Sequence, residues 1–360
     1  MTIKKFIYSA QQSLQVSTGN DFKRGHIYEL LAASFNFNSY AALSSEAVFT
    51  LQQDGEKHLS QNNTSILKRC NELGYSLETA GIASTRLQEL VNEHQIDCIT
   101  ISDLIDSLRS DYSIGDDYPD WIIGELPQIL LDCLEVAANK NNAHAHFALA
   151  LINVTGEPKS GHDYWYLEEQ NGRVLSGVEK EWADEYKTLI AKSKKFSLHL
   201  KEAARLGNRE ALLDMAEHFD DPSFFETVNV SVDDDPIRVA EIAERLGRTK
   251  DMRRWLVVAA EQGDVEAIQR LIEEFDDFDL QQKWTWVYLA QLMGTDLTVS
   301  DHYAIHEDGS IYDDDVGGPM YVDGRDALEI KSLDEDQAIA AKTAARELFE
   351  RIQQTEATGA

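Results

Sequence analysis

Ala203 to Asp221 reads AARLGNREALLDMAEHFDD, and Ala259 to Asp277 reads AAEQGDVEAIQRLIEEFDD. Laid over each other without a gap they share nine of 19 positions: two Ala, Gly, Glu, Ala, Glu, Phe and two Asp. Unrelated segments would share about one or two, so the pair is an internal repeat. Its residues spell a helical hairpin. The paired alanines close a first helix with side chains small enough for tight packing. Gly207 and Gly263 suit the left-handed position that follows a helix C-terminus. Asn208 and Asp264 suit the N-cap of the next helix. In that helix Ala211, Met215 and Phe219, and likewise Ala267, Leu271 and Phe275, recur every four residues and share one face. A hairpin with one apolar side must stack on a neighbour.

Weaker copies extend the pattern outward. Ala137 to Ala150 (AANKNNAHAHFALA) keeps the double alanine and puts Asn141 and Asn142 at the turn. Lys283 to Gly294 (KWTWVYLAQLMG) offers an aromatic helix with a terminal glycine, and Leu333 to Ile352 reads as a closing amphipathic helix. Together these residues, above all WLVVAAEQGDVEAIQRL from Trp255 and KEAARLGNREALLDMA from Lys201, resemble the Sel1-like repeats, relatives of the tetratricopeptide repeat. The resemblance spans roughly residues 127 to 355. It implies an α-solenoid and an adaptor or scaffold role without catalysis. The chain departs from that family in two ways: its strong copies lie 56 residues apart, and each ends in Phe-Asp-Asp where Tyr and Gly are usual. The register between 222 and 250 stays open.

The expected fold is therefore mainly α: a small N-terminal helical domain over residues 1–115, then a Sel1/TPR-like array of helical hairpins over 120–360 with short β-hairpin insertions at 158–180 and 296–332. In the first part Phe22 to Leu43 reads as two helices broken near Asn36 to Asn38, Thr64 to Gly74 and Ser84 to His94 as further helices, and Thr100 or Ser102 as the cap of another. Asp111 to Asp120, polar with Gly115 and Pro119, is the expected boundary. Tyr164 to Ser176 surrounds Asn171-Gly172, a strong hairpin signal. Asp296 to Asp336 carries 13 acids against Arg325 and Lys331 and reads as a long loop with short strands.

Composition narrows the function. The chain has 360 residues, 64 acidic against 33 basic, for a net charge of −31. That field repels phosphate backbones, so nucleic acid is not an expected partner. No apolar run exceeds six residues, against the roughly 20 that span a bilayer, so no membrane segment is expected. Lys4 and Lys5 are followed too soon by Gln11, Gln12 and Ser13 for a signal peptide, and Cys70, Cys98 and Cys133 stand singly. A cytoplasmic protein with free thiols is expected.

No phosphate-loop, dinucleotide or nucleophile-elbow string occurs. His144 and His146 are two apart on a predicted helix and point to different faces; His302 and His306 lack the glutamate of a zinc motif. Asp313, Asp314 and Asp315 with Glu307 and Asp308 could offer oxygen ligands to calcium, but their spacing is not that of a calcium loop, and a solvated acidic run explains them. Trp255, Trp284, Trp286 and Tyr288 read as seam-filling residues, and Arg245, Arg248, Lys250, Arg253 and Arg254 as a basic helix surface beside Glu241 and Glu244. No cofactor or metal is expected. The leading reading is a non-enzymatic adaptor or scaffold whose helical-repeat groove holds a segment of a protein partner, basic in character, with Tyr303, Tyr312, Asp313, Asp314, Asp315 and Tyr321 of the acidic insertion as candidate contacts. Two alternatives remain: an acidic inhibitor or nucleic-acid mimic that covers a basic protein, and an enzyme whose acid-base groups (His162, Asp163, His302) sit in the insertions.

Overall fold

The structure, a computed structural model, describes residues 2–52, 62–112, 126–156, 161–227, 234–275, 279–313 and 318–359. The chain is mainly helical and packs as two compact units, Met1–Phe219 and Asp220–Ala360. Much of Asp111 to Asp120, the boundary expected from sequence, lies outside the described residues, as do 228–233 in the segment of open register.

The first unit begins with α1 (Ile3–Thr18), α2 (Arg24–Ser34) and α3 (Tyr40–Glu46), broken between the last two where expected. β1 (Ala47–Leu51) then pairs antiparallel with β2 (Ile96–Thr100) across α4 (Asn63–Glu72) and α5 (Leu77–Glu93). This ribbon was not foreseen. Its register puts Phe49 opposite Cys98, both fully buried. α6 (Ile101–Tyr112) starts on the expected cap, Thr100, whose hydroxyl accepts the Asp103 N–H at 3.0 Å. Next come α7 (Gln128–Ala138) and α8 (Ala143–Ile152), then α9 (His162–Gln170), the 28-residue α10 (Val178–Arg205) and α11 (Arg209–Phe219). Val48, Ile99 and Leu104 share one core with Leu134, Phe147, Leu200 and Ala211, so the ribbon and α6 pack with the first hairpins.

The β-hairpin expected within 158–180 is corrected: His162–Gln170 is helical, and Asn171-Gly172 ends that helix. Gly172, at φ 92°, donates to the Glu169 carbonyl at 2.9 Å and Arg173 to Glu168 at 3.0 Å. Asn-Gly serves a helix end as well as a two-residue hairpin turn, because both need a positive φ. Arg173 over the Trp165 ring (4.9 Å) and Lys180 to Glu169 (2.6 Å) hold α9 against the start of α10.

The second unit holds the short α12 (Ser223–Glu226), α13 (Pro236–Arg245), α14 (Thr249–Glu261), α15 (Val265–Glu274), α16 (Leu280–Leu292), an antiparallel ribbon of β3 (Asp301–Ile305) and β4 (Tyr321–Arg325), and α17 (Glu335–Gly359). The ribbon bears out short strands in the acidic insertion.

The quoted motif has one conformation wherever it occurs. After α10 the Asn208 N–H bonds to Ala203 C=O (3.0 Å) and Gly207 to Ala204 (2.9 Å); after α14 Asp264 bonds to Ala259 (3.1 Å) and Gly263 to Ala260 (3.1 Å). These paired bonds, closing around a left-handed residue, are the Schellman ending. Asn141, at φ 62°, takes the glycine position after α7. Gly247 and Gly294 do the same after α13 and α16, with Ala243 and Ala290 as the buried acceptors. Three turns add the same cap: Asn142 accepts from Ala145, Asn208 from Ala211 and Asp264 from Ala267. Ala145, Ala211 and Ala267 are each fully buried. Ala203, Ala259 and Ala260 are buried as well, whereas Ala204 is only partly so. Met215 and Leu271 face inward, but Phe219, 40% exposed, stacks on Phe196 at the surface.

Asn208 is itself buried, so its amide has little access to water in compensation for a lost bond. Asn208→Ala is expected to cost about 1–2 kcal/mol, above an exposed cap, read as a lower urea midpoint with an unchanged slope.

Candidate functional site

The acidic insertion grows from the end of α16. Asp296 accepts from Thr298 N–H (2.9 Å), Thr298 Oγ1 (2.6 Å) and Gln291 (3.1 Å), and these bonds hold its carboxyl below the usual carboxylate range. Leu297 is fully buried and its carbonyl receives Leu328 N–H, while Arg325 donates to the Asp296 carbonyl at 3.1 Å. Trp284 of α16 closes the far side by donating its indole N–H to Lys331 C=O at 2.7 Å. The ribbon thus stands on a fixed base.

Above the base β3 pairs with β4 in the register Asp301↔Arg325, Tyr303↔Asp323 and Ile305↔Tyr321, which puts those six residues on one face. Gly324, opposite His302, is at φ 117°, and a Cβ there would strike the Asp301 carbonyl, so only glycine fits this close approach. Beyond β3 the chain turns through His306 to Ser310. Asp308 accepts from the Ser310 hydroxyl (2.7 Å) and N–H (3.1 Å), which lower its carboxyl pKa. The returning segment bonds Tyr312 N–H to Ala304 C=O (2.9 Å). Tyr312 packs on the His306 ring at 4.7 Å between centroids, and His306 Nε2 accepts the Asp313 N–H at 3.1 Å. A depression of about 410 Å³ lies here, lined by His306, Glu307, Ser310, Ile311, Asp313 and Pro319 among others.

Most of the surface of this element is bare. Tyr303 is 48% exposed, Tyr321 46%, Val322 69% and Ile311 79%. Acids surround them: Asp301, Glu307, Asp308, Asp313, Asp323 and Asp326. Tyr303 reaches Asp323 at 3.5 Å. Of the residues singled out from sequence, Tyr303, Tyr321, Tyr312 and Asp313 lie on this element, the first two on one face. Asp314 and Asp315 lie outside the described residues.

Of the residues considered for acid-base work, Asp163 is exposed on α9 of the first unit, and His302 sits on β3 of the second with its Nε2 3.1 Å from exposed Asp326. The side chain of His162 lies outside the described residues. Among the described residues, no group of three or more His, Cys, Asp or Glu is placed to hold a metal ion, and no helix is long and apolar enough to cross a membrane. Of the four residues read as seam-filling, Trp255 and Trp286 are buried, Trp255 stacking near Phe224 (6.3 Å), while Trp284 and Tyr288 are only half-buried. The basic stretch meets acids: Arg248 pairs with Asp251 at 2.7 Å and Arg245 with Asp220 at 3.6 Å. Besides the β1–β2 ribbon, two features had escaped the sequence reading. One is the open edge of β4. The other is a contact between His146 and His199, 53 positions apart.

No family model, no curated protein and no solved structure matches this chain.

Proposed function

We propose that the protein is a non-enzymatic adaptor, a Sel1-like array of helical hairpins that presents the β3–β4 ribbon to a basic protein partner. The observation that carries this reading is the ribbon itself: two half-exposed tyrosines on one face of a two-stranded sheet, bare Val322 on the other and bare Ile311 on the segment beside it, among carboxylates. Solvent-exposed aromatic and aliphatic groups in this concentration are a cost to a free protein and an anchor in a complex. The carboxylates give the partner its sign. Thirteen acids against two basic residues between 296 and 336 attract lysine and arginine and repel phosphate.

The backbone favours an extended partner segment. Ala304 C=O points away from β4, toward Tyr312, so alternation along the ribbon turns the polar groups of Tyr303 and Ile305 toward β4 and those of Val322 outward. Among the described residues no strand lies beyond β4. An incoming strand would find the Val322 groups open there, as in β-augmentation, beside a Gly324 N–H that the Asp323 side chain holds at 2.7 Å, with carboxylates ready for its basic side chains.

The test is a partner recovered from the native host, purified, and titrated against variants. Asp313→Asn, Asp314→Asn and Asp315→Asn together are expected to weaken binding about tenfold at low salt and to flatten its salt dependence. Tyr303→Ala with Tyr321→Ala should weaken it at any salt. Wild-type affinity in both sets would remove the ribbon from the interface.

A further inference from the structure

α8 and α10 are packed along each other in the first unit, and one polar contact lies in their seam. His146 of α8 and His199 of α10 face each other with their Nδ1 atoms 3.0 Å apart. The ring centroids are 5.2 Å apart, almost the N···N distance plus the two ring radii, so the two nitrogens meet head-on. Such a contact is a hydrogen bond only when one nitrogen carries a proton and the other offers a lone pair. Two bare lone pairs repel, and so do two N–H groups. The head-on approach also differs from chelation, where the lone pairs of both rings would converge on a point beside the N···N line.

We propose that His146 and His199 form a proton-sensitive latch: sharing one proton they clamp α8 to α10, and taking up a second they part and loosen this seam. The surroundings make the second proton costly. Partial burial of both rings lowers both pKa values. For His199 the nearby His146 and then Lys195 lower it further. For His146 burial outweighs a backbone hydrogen bond at Ala138 and the attraction of Glu202, and Arg205 opposes the charge as well. Glu202 is engaged elsewhere, bonding Arg205 at 2.8 Å. Charges on the surrounding elements have partners of their own: Arg109 of α6 lies over Phe147 and 3.8 Å from Asp214 of α11, Lys140 after α7 donates to Ser44, and Glu169 of α9 binds Lys180. Among the described residues, the carboxylate that acts on the pair is Glu202, and burial outweighs its attraction.

The sign follows from linkage. Both histidines have folded-state pKa values below the ordinary value near 6.5, so the opened or unfolded chain binds protons more tightly. The contribution of the latch is complete above that value and declines as pH falls through and below it.

The experiment combines imidazole ¹⁵N NMR with hydrogen exchange of amides 143–152 on the full chain at pH 7.5 and pH 5.5. The two rings are expected to titrate as a coupled pair below the ordinary histidine range. Each unit of depression should speed opening of the seam by about tenfold at low pH after correction for intrinsic exchange. His199→Gln and, separately, His146→Asn should reduce this pH dependence to the part that burial of the remaining histidine leaves, with circular dichroism confirming that each variant folds. If the rings titrate independently at ordinary values, or if the folded variants keep the wild-type pH dependence, the latch is wrong. Neither outcome bears on the β3–β4 ribbon.

Discussion

Phe147→Ala is expected to destabilise the first unit by about 3–5 kcal/mol, the range for emptying a large aromatic from a packed core. Phe147 is fully buried on α8 within the cluster that joins β1, β2, α6, α7, α10 and α11. Its ring also supports the Arg109 guanidinium at 5.2 Å, and Arg109 in turn faces buried Asp214 at 3.8 Å. Truncation therefore leaves a cavity and loosens a charge pair whose acid is shielded from water. Hydrogen exchange localised to residues 2–219 measures the loss. A cost below about 1 kcal/mol would mean that this core is not formed as described.

The second large effect falls on the duplicated turn. Gly263 is at φ 94°, and a side chain there meets Met293 Cε at 2.8 Å and Ile352 Cδ1 at 3.4 Å. Gly207, the equivalent residue, is at φ 90° with open space around it. Gly207→Val is thus expected to cost only the strain of a β-branched residue in the left-handed region, about 1–3 kcal/mol. Gly263→Val must in addition shift the end of the flexible Met293 side chain and press on the Ile352 side chain of α17, for a total of about 2–4 kcal/mol. Equal losses in the two variants would show that Met293 and Ile352 yield to the new side chain without cost.

The same turn explains what was legible in the sequence. A Schellman ending needs a residue tolerant of positive φ, and the next helix needs an oxygen-bearing cap; both demands fall within nine residues, so Ala203 to Ala211 and Ala259 to Ala267 advertise their structure. The turn after α13 follows the same logic, with Ala243, Leu246 and Gly247 in place, but Arg248 stands where Asn or Asp would cap and blurs the match. β1 and β2 were hidden for another reason. Each is five residues long, paired across about fifty positions, and Ala47 follows α3 with no glycine or proline to mark the change. Asn171-Gly172 misled because one dipeptide satisfies two kinds of turn. The tyrosines and acids of the ribbon were visible as residue types, whereas the open edge of β4 and the meeting of His146 with His199 depend on pairing and helix packing, which no local pattern encodes.

The adaptor reading rests on the ribbon touching a partner, and site-specific photocrosslinking in the native host tests that contact directly. A benzoylphenylalanine placed at Tyr321 is compared with one at Leu198, a somewhat more exposed position on α10. The expected result is one dominant adduct at 321, absent at 198, to a protein whose crosslinked peptide is rich in lysine or arginine, and which, once purified, binds the full chain more weakly as salt rises. Adducts at 198 but not at 321, or a crosslinked peptide without basic residues, would contradict the account.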